Sequence, residues 1–528
     1  MTDANYKSTI YLRNDVETDP VTVTPILWLS NGKKFVLNDV KLDPAGVAVI
    51  NINQALADQG LSYWATLTGY VEVQYKWPWD ALCVIVWNVD LSHSLIFTSG
   101  LSPSSPVLGL SQSQIVEGMW WKQEANVSGF VALSNTSPDP VHASVQVTDA
   151  TGNALAAHSV TVSSHGTKVV NMPEMQGARS NAGGVRIAYT GAAGSLIPNG
   201  GLLDQAVGYS ARMPFAVPPA ASTSAAAESY AELGLMTGAS DPMMSFPAGT
   251  TFTPYSVARN VSNQPVQVTP TLWWMEGGAA RSAPLRSVTL LPGQARNLDP
   301  PSLLSAAGLK NFNGSVNLVL DLQGPPRGLL LASGSVDEKN TYVFEVMPTT
   351  VHEGVAKSFS YWSIANGDDT MVTLWNPADE AQDFVFTLFY TGGHYNFPIH
   401  LGPRATNTFN VSEIVHNQIP DAEGNVVPAS VHEGSARIAG AHDPAESILV
   451  SMAAGTYNVV KATCGEGCQT CAAGLTVRSR PRPWLWVSEA RIRSRSCYSS
   501  KTAASATTQR YPPGAQTTTA SQLCKARA

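Results

Sequence analysis

From residue 20 to residue 29 the chain carries the stretch Pro20-Val21-Thr22-Val23-Thr24-Pro25-Ile26-Leu27-Trp28-Leu29. β-Branched and aromatic residues alternate in it with polar ones, which is typical of a half-buried strand. The dipeptide Asn31-Gly32 follows, and both residue types tolerate the positive φ angles of a tight hairpin turn. The stretch therefore predicts a β-hairpin near the start of the chain.

The same pattern returns three more times along the chain. Each copy has a strand that ends in Asn, a short polar turn, and a second strand that begins with Pro-Val in three of the four copies. The Asn residues are Asn14, Asn135, Asn260 and Asn376, separated by 121, 125 and 116 residues. This period fits a sandwich domain of about 100 residues. Because an Asn side chain can bond backbone groups two residues further on, we expect each Asn to hold a structural turn.

Four such copies predict an all-β protein, a tandem array of four antiparallel β-sandwich modules. We assign repeat 1 to residues 1–108, repeat 2 to 109–217, repeat 3 to 248–350 and repeat 4 to 351–463. Residues 218–247 begin with a Pro-, Ala- and Ser-rich run and are expected to be a linker. Short helices are expected at 52–56 and 301–304. Repeats 1 and 3 match each other best, as do repeats 2 and 4, which indicates a duplicated pair.

Charged residues make up only 13% of the chain, where about 25% is usual. From Cys464 onward there are ten Lys or Arg and two acids, whereas the residues before it carry 22 basic and 37 acidic side chains. An acidic body argues against a nucleic-acid partner. The tail, residues 464–528, also lacks alternating apolar runs, so it is predicted to be disordered or the product of a shifted reading frame.

No apolar stretch is long enough for a transmembrane helix. Residues 1–7 lack the basic and apolar regions of a secretory signal peptide, which taken at face value indicates the cytoplasm. The abundance of Thr, Ser, Asn, Gly and Pro in place of charge is instead typical of secreted or surface β-proteins. We therefore expect an extracellular or cell-surface location that needs an export route outside this stretch. The sequence does not indicate an oligomeric state.

The six cysteines are unevenly distributed. Cys83 stands alone in an apolar run and is predicted to be a buried free thiol. Cys464, Cys468 and Cys471 have the spacing of an iron–sulfur motif, but the chain lacks the βαβ pattern of the enzymes that carry it. A zinc site would need a fourth ligand, for which Cys497 is the candidate. A disulfide-stapled turn is the favoured interpretation for an exported protein, so no cofactor and no metal are expected.

Three groups of Trp residues are candidates for ligand stacking. They are Trp77 with Trp79, Trp120 with Trp121, and Trp273 with Trp274. Neighbouring side chains on a strand face opposite sides, so one of each adjacent pair is expected in a core and the other exposed or between modules. Packing between modules is favoured, and stacking on a sugar is the alternative.

Sequence motifs of catalysis are missing from the chain. There is no nucleophile elbow, no phosphate-binding loop and no dinucleotide fingerprint. The dipeptides His352-Glu353 and His432-Glu433 lack the second His that a zinc protease places one helical turn away, which favours a structural turn. We therefore predict that the protein is not an enzyme.

Three segments carry a resemblance to a known group. They are residues 66–80, with the sequence TLTGYVEVQYKWPWD, residues 332–342, with the sequence ASGSVDEKNTY, and the Cys464 cluster. Over residues 1 to about 471 the chain resembles bacterial surface-type proteins with tandem, immunoglobulin-like β-sandwich modules. The resemblance implies a structural or adhesive role, a glycan or surface protein as partner, and no catalytic residues. A carbohydrate-binding array that uses exposed Trp residues is the alternative.

Overall fold

The computed structural model describes residues 6–16, 18–61, 67–77, 81–93, 95–101, 114–122, 126–205, 208–221, 223–239, 246, 249–337, 342–351, 357–364, 368–441 and 449–456. These residues form a mostly β structure of several antiparallel sheets with four short helices. The all-β fold class is thereby confirmed. The tail from residue 464, with its cysteines, lies outside the described residues.

Repeat 1 forms two sheets. Its strands are β1 (Tyr6–Asn14), β2 (Val21–Leu29), β3 (Lys34–Val36), β4 (Val40–Leu42), β5 (Val47–Asn51), β6 (Gly69–Tyr75), β7 (Leu82–Asp90) and β8 (Leu95–Leu101), with helix α1 (Ile52–Asp58) after β5. One sheet has the order β5-β1-β7-β8, and in the other β2 pairs with β3, β4 and β6. Leu12 of β1 and Val23 of β2 belong to one core, so the two sheets pack face to face.

Repeat 2 has the same plan with added strands. They are β9 (Ile115–Trp121), β10 (Ser128–Asn135), β11 (Val141–Thr148), β12 (Ala154–Val162), β13 (Thr167–Met172), β14 (Ala182–Tyr189), β15 (Leu196–Asp204), β16 (Tyr209–Met213) and β17 (Phe215–Ala216), with helix α2 (Glu174–Gly177) after β13. The sheets have the orders β13-β10-β15-β16 and β12-β11-β14-β9-β17.

Repeat 3 is built around one ten-stranded sheet. The strands are β18 (Ala226–Ala239), β19 (Thr251–Asn260), β20 (Val266–Glu276), β21 (Ala279–Pro284), β22 (Val288–Leu290), β23 (Ala295–Asn297), β24 (Gly314–Gly324), β25 (Leu329–Asp337), β26 (Tyr342–Val346) and β27 (Thr349–Thr350), with helix α3 (Pro300–Ala306) after β23. The main path is β21-β20-β24-β18-β19-β25-β26. Gly238 and Ala239, at the end of β18, pair with β19 and thereby connect its two halves.

Repeat 4 again forms two sheets. The strands are β28 (Lys357–Ser363), β29 (Asp368–Trp375), β30 (Gln382–Tyr390), β31 (Gly393–Leu401), β32 (Thr406–Asn410), β33 (Glu433–Gly440) and β34 (Leu449–Thr456), with helix α4 (Val411–His416) after β32. The sheet orders are β28-β33-β30-β31 and β32-β29-β34. The core of this repeat is rich in aromatic residues, with Trp362, Phe386 and Tyr395 fully buried.

The structure confirms the local predictions that depended on turn and helix signals. Gly32, in the predicted hairpin turn, has a φ angle of 80°, and Gly152 and Gly392 have φ angles of 89° and 94° in the corresponding turns of repeats 2 and 4. Helices α1 and α3 lie over the stretches predicted to be helical. In α1 the Asn51 side chain accepts a hydrogen bond from the Gln54 backbone N–H, the usual cap of a helix start.

The expected linker is partly a core strand. Residues 226–239 of the segment 218–247 form β18, which pairs along most of its length with β24. Leu233 and Leu235 are almost fully buried. The sequence did not predict this strand, because an Ala- and Ser-rich run precedes it and its large apolar residues occur only from Tyr230 onward. Cys83 also differs from its prediction: it is half-buried rather than buried.

Among the described residues, no helix combines the length and the apolar character that crossing a membrane requires.

A buried carboxyl group lies in the core of repeat 3. Glu232 of β18 is completely buried, and its burial raises the pKa of its carboxyl group to about 8. The hydroxyl groups of Ser256 and Ser333 act in the opposite direction and lower this pKa, but burial dominates. The group is therefore protonated in the folded protein at neutral pH, although it would be ionised in an unfolded chain.

This carboxyl group should make stability depend on pH. Between about pH 4.5 and pH 8 the folded state binds one proton more than the unfolded state, so the free energy of unfolding should fall as pH rises. Glu232→Gln keeps the shape and removes the titration. We expect the variant to match the parent near pH 5 and to melt at a higher temperature near pH 8.

Calorimetry across this pH range measures the effect. The pKa values of Glu345 and Asp369 are also raised by burial. In Glu232→Gln the dependence of the unfolding free energy on pH should therefore become weaker but not disappear. Glu276→Gln, which alters an exposed carboxylate, is the matched control. An unchanged pH profile in Glu232→Gln would contradict the assignment.

Candidate functional site

The four repeated Asn residues are fully buried where the chain reverses, at the ends of β1, β10 and β19 and directly after β29. At Asn260 the side-chain Nδ2 donates to the carbonyl oxygens of Gln264 at 2.7 Å and Leu290 at 2.9 Å. The Oδ1 atom accepts from the backbone N–H of Ser262 at 2.9 Å and from its hydroxyl at 2.7 Å. One amide thus ties the turn that follows the strand to a second turn about 30 residues later.

The other three Asn side chains repeat this geometry. Each Nδ2 donates to two carbonyl oxygens at distances between 2.7 and 3.0 Å. The acceptors are Asp19 and Asp43 for Asn14, Asp139 and Ser163 for Asn135, and Glu380 and Gly402 for Asn376. Oδ1 accepts in each case from the backbone N–H two residues on, at 2.9 Å. The side chains therefore hold the chain reversals that the pattern predicts at these positions.

The backbone completes the link to the second turn. Each Asn N–H donates to a carbonyl oxygen, that of Gly46, Gly166, Gln294 or Ala405, at 2.9–3.0 Å. The residue just before each acceptor has a left-handed backbone: Ala45, His165, Gly293 and Arg404, with φ of 54°, 50°, 77° and 56°. Three of these residues are not glycine, so the left-handed conformation is sterically costly and is imposed by the surrounding bonds.

The second turn of repeat 2 is also where repeat 1 docks. The backbone N–H of Thr167 donates to the carbonyl oxygen of Ser30 in the β2–β3 hairpin at 3.3 Å. The indole of Trp28 stacks on the imidazole of His165 at 4.3 Å between ring centres. The Tyr70 hydroxyl lies 3.4 Å from the same imidazole, and burial, with Glu72 adding to it, raises the pKa of Tyr70 to about 12. The hydroxyl therefore remains protonated as a hydrogen-bonding group.

Repeat 2 docks on repeat 3 in the same way. The backbone N–H of Ala295, next but one after the left-handed Gly293, donates to the carbonyl oxygen of Ala150 in the β11–β12 turn at 2.9 Å. A buried ion pair reinforces the contact: Arg259 of β19 lies 2.7 Å from the carboxylate of Glu117 on β9. Arg259 also donates to the Gly118 carbonyl oxygen at 2.8 Å.

Repeat 3 docks on repeat 4 through the corresponding turns, with a side-chain sulfur in place of a carbonyl oxygen as acceptor. The N–H of Thr406, next but one after Arg404, lies 3.4 Å from the Met275 sulfur at the end of β20. Trp273, which occupies the position of Trp28, packs against Trp375 at 5.8 Å between ring centres. The Arg404 guanidinium lies over the Trp273 ring at 5.8 Å, as His165 of repeat 2 lies over Trp28 of repeat 1.

A fourth contact joins repeat 4 to repeat 1. The Ser435 hydroxyl on β33 donates to the carbonyl oxygen of Ala45, the left-handed residue of the second turn of repeat 1, at 3.4 Å. Strand β28 lies against β1 and β7. In the contact between repeats 3 and 4, β18 lies against β29 and β34 in the same manner.

The described Trp residues are placed mainly by packing. Trp120 and Trp121 are both buried, so neither of this pair is exposed. Trp120 donates its indole N–H to the Thr148 carbonyl oxygen, and Trp121 stacks on Tyr255 of repeat 3. Both members of the pair can be buried because the second face of β9 is covered by the neighbouring repeat.

The remaining Trp candidates divide unevenly. Trp273 and Trp274 are half-buried, and Trp77 is 40% exposed. Trp79 lies outside the described residues, as do Cys464, Cys468 and Cys471. Within the described ranges, no three His, Cys, Asp or Glu side chains are grouped to hold a metal ion.

Two kinds of residue at the contacts between repeats were not predicted from the sequence. The left-handed residues of the second turn carry no common residue type, so only their distance from the Asn could have located them. The buried Arg residues had a clearer signal, because Arg13 and Arg259 both directly precede a repeated Asn. An Arg at a fixed place before a structural Asn, in a chain this poor in charge, indicates a buried ion pair.

A cavity of about 2950 Å³ lies beside repeat 1. Its wall includes Val71 and Val73 of β6 and Ala132 of repeat 2. It extends to the turn that contains Gly293 in repeat 3. Apolar side chains contribute much of the wall, together with charged ones such as Glu72.

Comparison with models of protein families and with curated proteins finds no match to this chain.

Removing one repeated Asn should destabilise the protein markedly. Asn260→Ala leaves the carbonyl oxygens of Gln264 and Leu290 and the Ser262 N–H without their partner. With about 1 kcal/mol for each hydrogen bond, we expect a loss of roughly 2–4 kcal/mol in the free energy of unfolding. Chemical denaturation measures the loss. Asn153→Ala, in an exposed turn where the amide donates only to Thr151, is the control, and an equal effect in both variants would contradict the role of Asn260.

A pair of glycines isolates the contact between repeats 1 and 2. Gly32 and Gly60 have nearly equal φ angles of 80° and 78°, so an Ala at either place meets the same backbone strain. A Cβ atom on Gly32 would lie 2.6 Å from the Ser164 carbonyl oxygen, whereas one on Gly60 meets nothing within 4 Å. We expect Gly32→Ala to lower the melting temperature more than Gly60→Ala. Equal shifts in melting temperature would show that the β2–β3 hairpin does not pack against repeat 2.

Proposed function

We propose that the chain is a non-catalytic structural or adhesive protein. It consists of four immunoglobulin-like β-sandwich modules that close into a ring, and it acts in secreted form or at a cell surface. One observation carries the proposal: the hairpin ends of repeats 1, 2 and 3 contact the second turn of the following repeat, and Ser435 on β33 of repeat 4 contacts Ala45 in the second turn of repeat 1.

Closure follows from the kind of contact. A head-to-tail contact uses two different surfaces, so copies of it build an open filament unless the rotation between neighbours brings the last copy back to the first. Here the second turns that contain Ala45, His165, Gly293 and Arg404 are each in contact with another repeat, which is the condition for a closed ring of four. A rigid ring supports a scaffold or adhesive role, since it can present loops without changing shape.

The use of polar side chains also supports a structural role. Buried polar side chains, among them the repeated Asn residues and the Arg259–Glu117 pair, bind the chain to itself. A catalytic group would instead be expected in a cleft with access to substrate. The resemblance to bacterial surface-type proteins and the low charge of the chain agree with this proposal.

A carbohydrate-binding array is the second candidate, and Trp77 is the residue that favours it. Its ring is 40% exposed, which leaves a face on which a sugar could stack. Trp121 and Trp273 give the candidate less support, because they pack against residues of the neighbouring repeats.

Binding of the full chain to immobilised glycans and to extracellular-matrix proteins tests these roles. We expect saturable binding to a protein surface that Trp77→Ala leaves unchanged, because adhesion through a scaffold uses many side chains rather than one ring. Trp274→Phe, a conservative change in a half-buried ring, controls for an effect on folding.

Two results would contradict the proposal. Glycan binding that Trp77→Ala abolishes would assign the chain to the carbohydrate-binding class. Turnover of any substrate in a panel of esters, peptides and glycosides, retained after repurification, would establish an enzyme.

A further inference from the structure

Strand β6 has one neighbour where its counterparts have two. In repeats 2, 3 and 4 the strand after the Asn turn is β11, β20 or β30. Its partner strand, which is β14, β24 or β33 respectively, pairs on its other side with β9, β18 or β28. In repeat 1 the corresponding strand is β6. Among the residues that the structure describes, β6 pairs with β2 alone.

The side chains of β6 are correspondingly less covered. Val71 lies opposite Leu27, as Val185 lies opposite Val147 and Leu318 opposite Leu272. Val185 and Leu318 are completely buried, but Val71 is only half-buried, although it packs on the core of repeat 1. Val73 is likewise half-buried, whereas its counterparts Ile187 and Leu320 are completely buried.

Backbone polarity identifies the open edge. The carbonyl oxygen of Pro25 accepts from the Leu37 N–H at 3.0 Å, on the side of β2 away from β6. Val73, which lies opposite Pro25, therefore directs its own N–H and C=O groups away from β2. In repeat 3 the residue at this position, Leu320, lies opposite Pro270 and pairs on its other side with Tyr230 of β18.

The lining of the cavity beside repeat 1 includes residues that correspond to those around β18. Between repeats 3 and 4, β18 runs between β24 and β29, so closely that a Cβ atom on Gly234 would lie 2.1 Å from the Thr373 hydroxyl. Ala132, three residues before its Asn as Thr373 is, lines the same cavity as Val71 and Val73 of β6. The cavity is thus bordered by the counterparts of β24 and β29.

We propose that the β6 edge and this cavity form an acceptor site for an extended segment of a partner protein. The segment adds to β6 as an antiparallel strand of about seven residues, the length of β9 and β28. Its inward side chains, at every second position, are apolar and cover Val71 and Val73. Uncharged side chains face Ala132 and Val169 on the opposite wall.

A fluorescent peptide with the sequence of Lys357–Ser363, the strand that fills this position in repeat 4, tests the site on the full chain. We expect saturable binding by anisotropy. Two modified peptides carry N-methyl groups on alternate residues, one on the odd and one on the even positions. Only one set faces β6, so one peptide should bind like the parent and the other at least about tenfold more weakly.

Protein variants locate the binding. Val73→Asp should weaken peptide binding at least about tenfold, and Ala132→Trp, which adds bulk to the cavity from β10 rather than from β6, should do the same. Val36→Asp, at a residue that is 52% exposed, is the control. Thermal melting of each variant excludes unfolding as the cause. Hydrogen exchange should show protection of the Val71 and Val73 amides when peptide is bound.

Several outcomes would overturn the site. They are the lack of saturation, equal weakening by both N-methylated peptides, and protection that avoids β6. A concentration-dependent dimer that the peptide dissociates would assign the site to a second copy of this chain instead of a partner protein. A failed titration would leave the scaffold role standing, because the Ser30, Ala150, Met275 and Ser435 contacts do not require an occupant on β6.

Discussion

The whole architecture depends on a buried amide that satisfies three or more backbone groups at once. Where β1, β10, β19 and β29 end, the chain reverses over a buried Asn side chain that bonds peptide groups of the turn. A buried peptide group without a hydrogen-bond partner lowers the stability of the folded state by about as much as a lost hydrogen bond. A side chain that bonds such a group therefore stabilises the turn. Asn is suited to this task because its short amide offers an acceptor and two donors in one plane.

The same turns determine how the repeats meet. Each Asn amide reaches the second turn about 30 residues later and holds there a residue with a left-handed backbone, such as His165 or Arg404. In repeats 2, 3 and 4 the hairpin of the preceding repeat docks on that second turn, and in repeat 1 Ser435 on β33 of repeat 4 contacts it. Stability within a repeat and contact between repeats are therefore coupled through one element, and a fault in the turn acts on both.

Local chemistry made part of this structure predictable. Alternation located the strands, Gly marked the hairpin turns, and the recurrence of Asn located the buried turns by spacing alone. Strand β18 was missed because its first residues resemble a linker and its apolar residues come late. The contacts between repeats could not be foreseen, since a left-handed Ala45 or Arg404 is imposed by tertiary bonds and not by residue preference. The burial of Trp121 depends in the same way on a surface that another repeat supplies.

The contact between Ser435 and Ala45 joins residues that are 390 positions apart. A ribosome that adds roughly 5–20 residues per second needs about 20–80 s to cover that distance. During this interval the second turn of repeat 1 has emerged, but the surface that covers it has not been synthesised. The nascent chain thus exposes a preformed head-to-tail docking surface to every neighbouring copy on the same messenger, and fast local folding within each repeat is its main protection against joining the wrong chain.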